Sequence, residues 1–302
     1  MIRNFDEIIT LAQKHQPIRV AVAAAEDWSV LKGIEMAKER GLIEPIFVGD
    51  KEKISRIIEA ENFNLIAGTD IVHVEDEKQA CFKAIEIARA GEAEAVMKGK
   101  VDSGTFMGIA LNRKMGIRGD RLASCVALLE DLRANRILYL TDPVLNISPN
   151  LMEKAELIKN AVKFVRVMGI PKPKVAVISA VELINPNMPS TIDAACLSKM
   201  AERGQISDAI VDGPFALDTL FSHKAALRKK IEGPLAGEVD VLLAPNIETA
   251  NAIYKMWTHF AGYNAIGVSI GMEVQLIHLP RESVPEAKLV GIAATVLILR
   301  NK

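Results

Sequence analysis

Short apolar runs rich in Val, Ile and Ala alternate along this chain with longer stretches in which apolar residues return every three or four positions. That change of period is the pattern of βαβ units, in which a mostly parallel sheet is covered by helices, and it defines the class as α/β. Strands are predicted at Ile18–Ala23, Glu44–Val48, Ile71–Val74, Ala95–Met97, Ile137–Leu140, Val175–Ile178, Ala209–Val211, Val239–Leu243 and Ala265–Ile270. The spacing predicts helices over Trp28–Arg40, stopped by Gly41, and over Asn150–Met168, stopped by Gly169 ahead of Pro171 and Pro173. A last helix is expected from near Ser283, where Ser283 and Glu286 make a capping-box pattern before an apolar run to Leu299.

No repeat, low-complexity tract or Gly/Ser linker marks a boundary. A chain of 302 residues is long for one domain and suggests two, or one large α/β domain with extensions. The best break is TDPVLNISP, Thr141–Pro149, where two prolines and an Asn separate a strand from a long helix; a second domain is expected to begin there.

Composition adds exclusions. Apolar residues are 50% and charged residues 25%, and Lys plus Arg (37) nearly cancels Asp plus Glu (38), so neither a disordered chain nor a nucleic-acid polycation is expected. Cys81, Cys125 and Cys196 are odd in number and lack CxxC spacing, which points away from a disulfide framework or zinc site and towards a reducing cytoplasm. The opening MIRNFDEIITLAQKH interrupts its apolar residues with charges, unlike an export leader. The uncharged run Leu289–Leu299 is much shorter than the roughly 20 residues a membrane span needs, so no membrane contact is expected.

Neither GxGxxG nor GxxxxGK[ST] occurs, which argues against a standard dinucleotide or P-loop site. GVSIG, Gly267–Gly271, matches the nucleophile elbow, but Ser269 is followed by one acid, Glu273, before its only later His, His278; the segment reads as a strand end. The short SxxK match of Ser29 and Lys32 is discarded. MKGKVDSG, Met97–Gly104, is different in kind, because it follows a strand and enters a helix near Gly104. Its glycines let the backbone turn and expose N–H groups, the helix start adds positive potential, and Lys98 and Lys100 bring full charges. The alternatives are an anion site and an ordinary polar loop with solvated lysines.

Basic residues recur beside Gly and Pro at Arg118, Lys229, Lys230, Lys255 and Arg281, each a solvated charge alone or, together, a set converging on a polyanion. NPNMPSTID, Asn185–Asp193, is a polar turn entering a helix that Ser190 or Thr191 is placed to cap. In VDGPFALD, Val211–Asp218, Asp212 is placed at a strand end and Pro214 at a helix start; such carboxylates are caps or catalytic groups. His15, His73, His223, His259 and His278 share no ligand spacing, and no metal site is supported.

Taken in order, MKGKVDSG, LTDPVLNISP, SAVELINPNMPSTIDAACLSKMAERGQI, VDGPFALD, GPLAGEVDVLLAPNIETANAIYK and LPRES resemble the phosphate acyltransferase family, phosphate acetyltransferase and phosphate butyryltransferase. Length and the NPNMPSTIDAA block are more similar to the butyryl branch. The resemblance implies reversible transfer of an acyl group between coenzyme A and inorganic phosphate, with coenzyme A as a substrate and no tightly bound cofactor or metal. It implies a cytoplasmic homodimer or higher homo-oligomer and an isocitrate/isopropylmalate dehydrogenase-like architecture: two α/β domains with an interdomain cleft, the final helix returning to the first. The expected domains are 1–140 plus 280–302, and 141–279. It also implies catalytic roles for Arg281 and Glu286, and substrate contacts at Lys98, Gly99, Lys100, Ser103, Gly104, Arg118, Asn146, Ser190, Thr191, Lys229 and Lys255.

The residue types suit the chemistry, because a thiolate attacking an acyl phosphate needs a base for the thiol and cations for phosphate and the developing oxyanion. Two positions depart from the family pattern: Pro280 stands where a Ser commonly precedes the Arg, and Ser124-Cys125 replaces a Ser-His pair. A phosphate acetyltransferase is the nearest alternative. A weakened paralogue that only binds acyl-CoA or acyl phosphate, and a metal-dependent decarboxylating dehydrogenase on the same fold, are further ones.

Overall fold

The computed structural model describes residues 1–65, 69–280 and 283–301. The chain begins α1 (Phe5–Ala12), β1 (Ile18–Ala23), α2 (Trp28–Glu39), β2 (Ile43–Gly49), α3 (Lys51–Ala60), β3 (Asp70–His73), α4 (Glu77–Arg89), β4 (Ala95–Lys98) and α5 (Ser103–Ala110). It continues with β5 (Ser124–Asp131), β6 (Arg136–Thr141), α6 (Leu151–Val167), β7 (Lys174–Ile178), α7 (Pro189–Glu202), β8 (Ile210–Phe215), α8 (Leu217–Phe221) and α9 (His223–Arg228). It ends with β9 (Val241–Leu243), α10 (Ile247–Lys255), β10 (Ala265–Ile270), β11 (Gln275–Ile277) and α11 (Pro285–Arg300).

Capping explains many of these limits. Asp27, Asp50, Asp76 and Asp102 each accept backbone N–H groups in the first turns of α2, α3, α4 and α5. Asn150 and Glu153 form a reciprocal capping box on α6, and Gly41 and Gly169 stop α2 and α6 with φ of +68° and +91°. The box expected at Ser283 and Glu286 is not formed, because α11 begins two residues later on Pro285, with Val284 at its cap and no side-chain hydrogen bond there.

The contacts divide the chain into two units. The first, Phe5–Ala123 with Ile266–Lys302, contains a fully parallel sheet in the order β11-β4-β1-β2-β3. Ala21, Ala23 and Val96 pack with Ala80 and Ala84 of α4 and Phe106 of α5, while the alternate residues Val20 and Val22 are equally buried. A strand buried on both faces has no period of two, only an apolar run. α11 packs against α1, α2 and β11 and is buried along most of its circumference, so its uncharged run is core. Among the described residues no helix is long and apolar enough to cross a membrane.

The second unit, Met1–Asn4 with Ser124–Ala265, contains five strands in the order β5-β6-β9-β7-β8. Its core joins Ala127, Leu129, Leu138, Leu140, Ala176 and Leu242. Here β5, absent from the predicted strands, runs antiparallel to β6 with Val126 opposite Thr141 and Asp131 opposite Arg136. β6 in turn pairs in parallel with β9, Tyr139 opposite Val241, so a cut at 141 would part this hairpin from the rest of its sheet, and the unit starts at Ser124. β11 pairs with β4, Gln275 opposite Ala95, so the chain is back in the first unit before 280; the contacts put its return at Ile266.

Candidate functional site

In the first unit the candidates gather where the parallel strands end, the edge at which open α/β sheets bind ligands. β4 finishes on Lys98, and the next residues cross the end of β1: Gly99 N–H donates to Ala23 O at 2.8 Å and Lys100 N–H to Ala24 O at 2.7 Å. The N–H of Gly99 is therefore taken by β1 and that of Lys100 by the residue after β1, so this part of the turn does not expose its N–H groups as the glycines suggest. Gly99 serves a close approach. A Cβ there would lie 2.5 Å from Ala23 O and nearer still to Ala24 O.

Lys98, only 4% exposed, curls into its own loop, its ammonium donating to Gly99 O (3.2 Å) and Val101 O (3.1 Å). Lys100 pairs with Glu77 of α4 at 3.1 Å. Ser103 and Gly104 open α5 on the exposed surface, behind Asp102, whose carboxylate accepts Thr105 N–H at 2.8 Å and is held below the usual range by the side chain of Thr105 first and its N–H second. The helix start thus already carries a carboxylate. Arg118 is exposed on the loop after α5. Glu286 is exposed in the first turn of α11, and its charge acts on Lys32 of α2, which also bonds Glu35 at 2.7 Å. Arg281 lies outside the described residues.

Two groups on this edge were not among the predicted site residues. Glu26, just beyond β1, is buried with Oε2 lacking any hydrogen-bond partner among the described residues, and burial pushes its carboxyl up against the pull of Lys100. His278 follows β11, whose Ile277 lies opposite Met97, and so stands beside the end of β4. Its ring stacks on Phe106 at 6.1 Å between centroids and 14° between planes, and its Nε2 is buried without a partner among the described residues. Burial first, and Lys98 second, push this imidazole down to about 4.

The sign follows from the unfolded value near 6.5. A histidine depressed by folding contributes stability that is present above about pH 6.5 and is lost as pH falls towards about 4. Between pH 7.5 and 5 the wild type should lose about 2 kcal/mol through this one group. His278→Leu should lack that component in urea unfolding at the two pH values, and equal losses in both proteins would refute it.

In the second unit three candidates are tied to one loop. Ser190 Oγ lies 2.8 Å from Ser179 Oγ, Thr191 Oγ1 accepts Asn185 N–H at 2.9 Å and donates to Met188 O at 2.8 Å, and Lys229 meets Glu182 at 2.7 Å. Neither Ser190 nor Thr191 caps α7: the helix starts on Pro189 with Met188 at its cap, and Thr191 instead closes the preceding turn. Lys229 is also 2.9 Å from Asp218, and these two carboxylates raise its pKa. An incoming phosphate would compete with both. Lys255 is exposed at the end of α10, and the residues after it, Met256 and Trp257, line an apolar groove of about 400 Å³ with Leu217, Phe221, Ile253 and Phe260.

β8 runs on through Pro214 to Phe215, so Asp212 is inside a strand, 2.8 Å from Gly213 N, and α8 starts only at Leu217. Ser269 lies within β10 and is buried, as a strand reading requires. Asn146 sits beyond β6 and donates its amide to Asp142 at 2.6 Å. Asp142 and Cys125, the latter buried in β5, are bonded to each other, Cys125 N–H donating to Asp142 Oδ2 at 3.0 Å. Among the described residues no group of three or more His, Cys, Asp or Glu is gathered to hold a metal.

The class that this α/β fold defines is found among solved phosphotransacylases. A branched-chain phosphotransacylase from Enterococcus faecalis V583 superposes with a TM-score of 0.79 at 26% identity, over 93% of this chain and 99% of that one. In sequence the chain is 41% identical to the phosphate butyryltransferase of Clostridium acetobutylicum over the full length of both, and 38% identical to the phosphate acetyltransferase of Thermotoga maritima over 92% of this chain and 94% of that one. The family described as phosphate acetyl/butaryl transferase matches residues 68–282, and this chain belongs to that family of enzymes.

Proposed function

We propose that the chain is a phosphate acyltransferase of the butyryl type, moving a short or branched acyl group between coenzyme A and inorganic phosphate. The observation that carries this reading is the 41% identity to a phosphate butyryltransferase along the whole of both chains. Coenzyme A is then a substrate, and no tightly bound cofactor is needed. An isocitrate/isopropylmalate dehydrogenase-like architecture, a homodimer or higher homo-oligomer, and a cytoplasmic setting belong to the same proposal.

In the direction of thioester synthesis, the thiol proton passes to a carboxylate, the sulfur attacks the carbonyl carbon, a C–S bond forms, and the C–O bond to phosphate breaks. Glu286 is the proposed base and Arg281 the proposed partner of phosphate and of the tetrahedral oxyanion. Lys98, Gly99, Lys100, Ser103, Gly104 and Arg118 in the first unit, and Asn146, Ser190, Thr191, Lys229 and Lys255 in the second, are proposed substrate contacts. Lys98 and Gly99 act through the loop they shape, since their bonding groups already meet Val101, Ala23 and Gly99 itself.

The test is phosphate-dependent release of coenzyme A from acetyl-, butyryl- and isobutyryl-CoA, with and without EDTA. Release should be greatest with butyryl- or isobutyryl-CoA and unchanged by EDTA. Greatest release with acetyl-CoA moves the assignment to the acetyl branch, and saturable binding without release moves it to a binding paralogue.

A further inference from the structure

We propose that the apolar groove of the second unit, between α8 and α10, is an interface between two copies of this chain, each placing its Phe260 in the groove of the other; this names the face of the homo-oligomer proposed above and rests on that part of the reading. Leu217 and Phe221 of α8 form one wall of the groove, and Ile253 of α10 forms the other with Met256 and Trp257 of the π-helical turn Met256–Phe260. Its floor is Leu138 of β6 and Leu242 of β9, both members of the core of this unit. An apolar side chain that entered the groove would extend that core.

The lining shows which class of occupant fits. A small-molecule site carries a few polar groups that fix the orientation of its ligand, and among the described residues this groove is lined by none. Aromatic residues and Met without charge are instead the composition found at the centre of protein–protein interfaces. The π-helical turn that shapes one wall is a rare local structure, and such turns gather at functional sites.

The same face also carries what would fill a groove. Phe260, on the rim, is 82% exposed, with Met256 at 54% and Phe221 at 42% beside it. The apolar exposure continues onto the turn between β5 and β6, where Leu132 is 61% exposed. Its neighbour Arg133 lies 5.7 Å over the ring of Tyr263, which in turn is 5.5 Å from the ring of Trp257. A protruding ring next to a groove on one face is an arrangement that two copies satisfy reciprocally about a two-fold axis, the ring of each meeting the groove of the other.

The area agrees with that occupant. At these exposures the four side chains leave roughly 400 Å² of apolar surface in water, the size of the largest patch on an ordinary monomer. A homodimer interface of standard size buries about 800 Å² per copy, about 65% of it apolar, so about 500 Å² is needed, and the groove walls supply the remainder.

Sedimentation equilibrium of the full chain tests this. The wild type should be a dimer at micromolar concentration. Phe260→Asp should weaken it about a thousandfold, because losing a central aromatic costs about thirtyfold and the two-fold axis repeats the loss in both grooves. Met256→Asp should act in the same direction, and Met115→Asp, at an exposed methionine of the first unit, should change the dissociation constant less than about threefold. The thermal midpoint of the wild type should rise with chain concentration, and that of Phe260→Asp should not. Should Phe260→Asp fail to fold, Met256→Asp decides. A dimeric wild type that Phe260→Asp and Met256→Asp weaken no more than Met115→Asp does would overturn this face and leave the homo-oligomer reading standing. A wild type that stays monomeric at high micromolar concentration overturns both, and its binding to phosphatidylcholine vesicles would then assign the groove to a lipid surface. Phosphate-dependent release of coenzyme A tests the acyl-transfer reading separately from all of these.

Discussion

Arg281→Ala is expected to lower kcat about a hundred- to a thousandfold while the protein remains folded, the loss that follows removal of one donor to a developing oxyanion elsewhere. The reason is the load the proposed chemistry puts on one cation. Both acyl-phosphate oxygens and the tetrahedral oxyanion carry charge, and a planar guanidinium holds two oxygens at once. Arg281→Lys should recover little, because an ammonium is a compact point charge on a flexible stem. Arg113→Ala is the control, since Arg113 is exposed on the loop after α5 and has no proposed role. A solvated Arg281 would behave as Arg113 does, with less than about threefold change in kcat, in keeping with the ±0.5 kcal/mol typical of surface positions. Equal small losses in both variants would remove Arg281 from the mechanism and leave Pro280 as a departure without consequence.

Gly99→Ala should cost about 3 kcal/mol in urea unfolding, the upper part of the range for a side chain forced into filled space. The obstacle is backbone, not a movable side chain: the new methyl would fall on the carbonyl oxygens of Ala23 and Ala24. Relief requires the loop to lift from β1, which breaks the bonds from Gly99 and Lys100 N–H and moves Lys98 with it. Gly104→Ala, five residues on, is the contrast. It is exposed in the first turn of α5, and the nearest atom to its added Cβ is the movable carboxylate of Asp102 at 3.3 Å, so its stability should change by less than about 1 kcal/mol. Similar effects at both glycines would mean that the MKGK loop is not pinned to β1.

The sequence placed strands where short apolar runs are bounded by turns, and β1 and β10 agree with it to the residue. β5 was missed for a physical reason. Seven of its eight residues are buried, so it carries no alternation, and its antiparallel partner lies just across the Leu132–Asn135 turn. β11, three residues long, is too short to show a period at all. Each is assigned to a sheet by its pairing and not by its own composition, β5 through β6 and β9, and β11 through β4.

The site divides in the same way. Residue types at strand ends, and the order of the family blocks, were legible because the chemistry needs particular groups near particular turns. Which groups are already satisfied was not. From sequence Lys98, Lys100 and Lys229 are three equivalent cations; in the fold the first bonds carbonyls of its own loop, the second meets one carboxylate and the third meets two. Asp142 reads as a polar residue before a proline, and its hydrogen bond from Cys125 N–H, 17 positions earlier, becomes visible only in the fold. By itself the sequence determined the α/β class, most of the strands and the family, because these depend on local period and on the identity of short blocks. The tertiary structure decided which strands pair, where the units divide and which polar groups have partners, because hydrogen bonds and burial depend on residues far apart in the chain, and no local pattern records them.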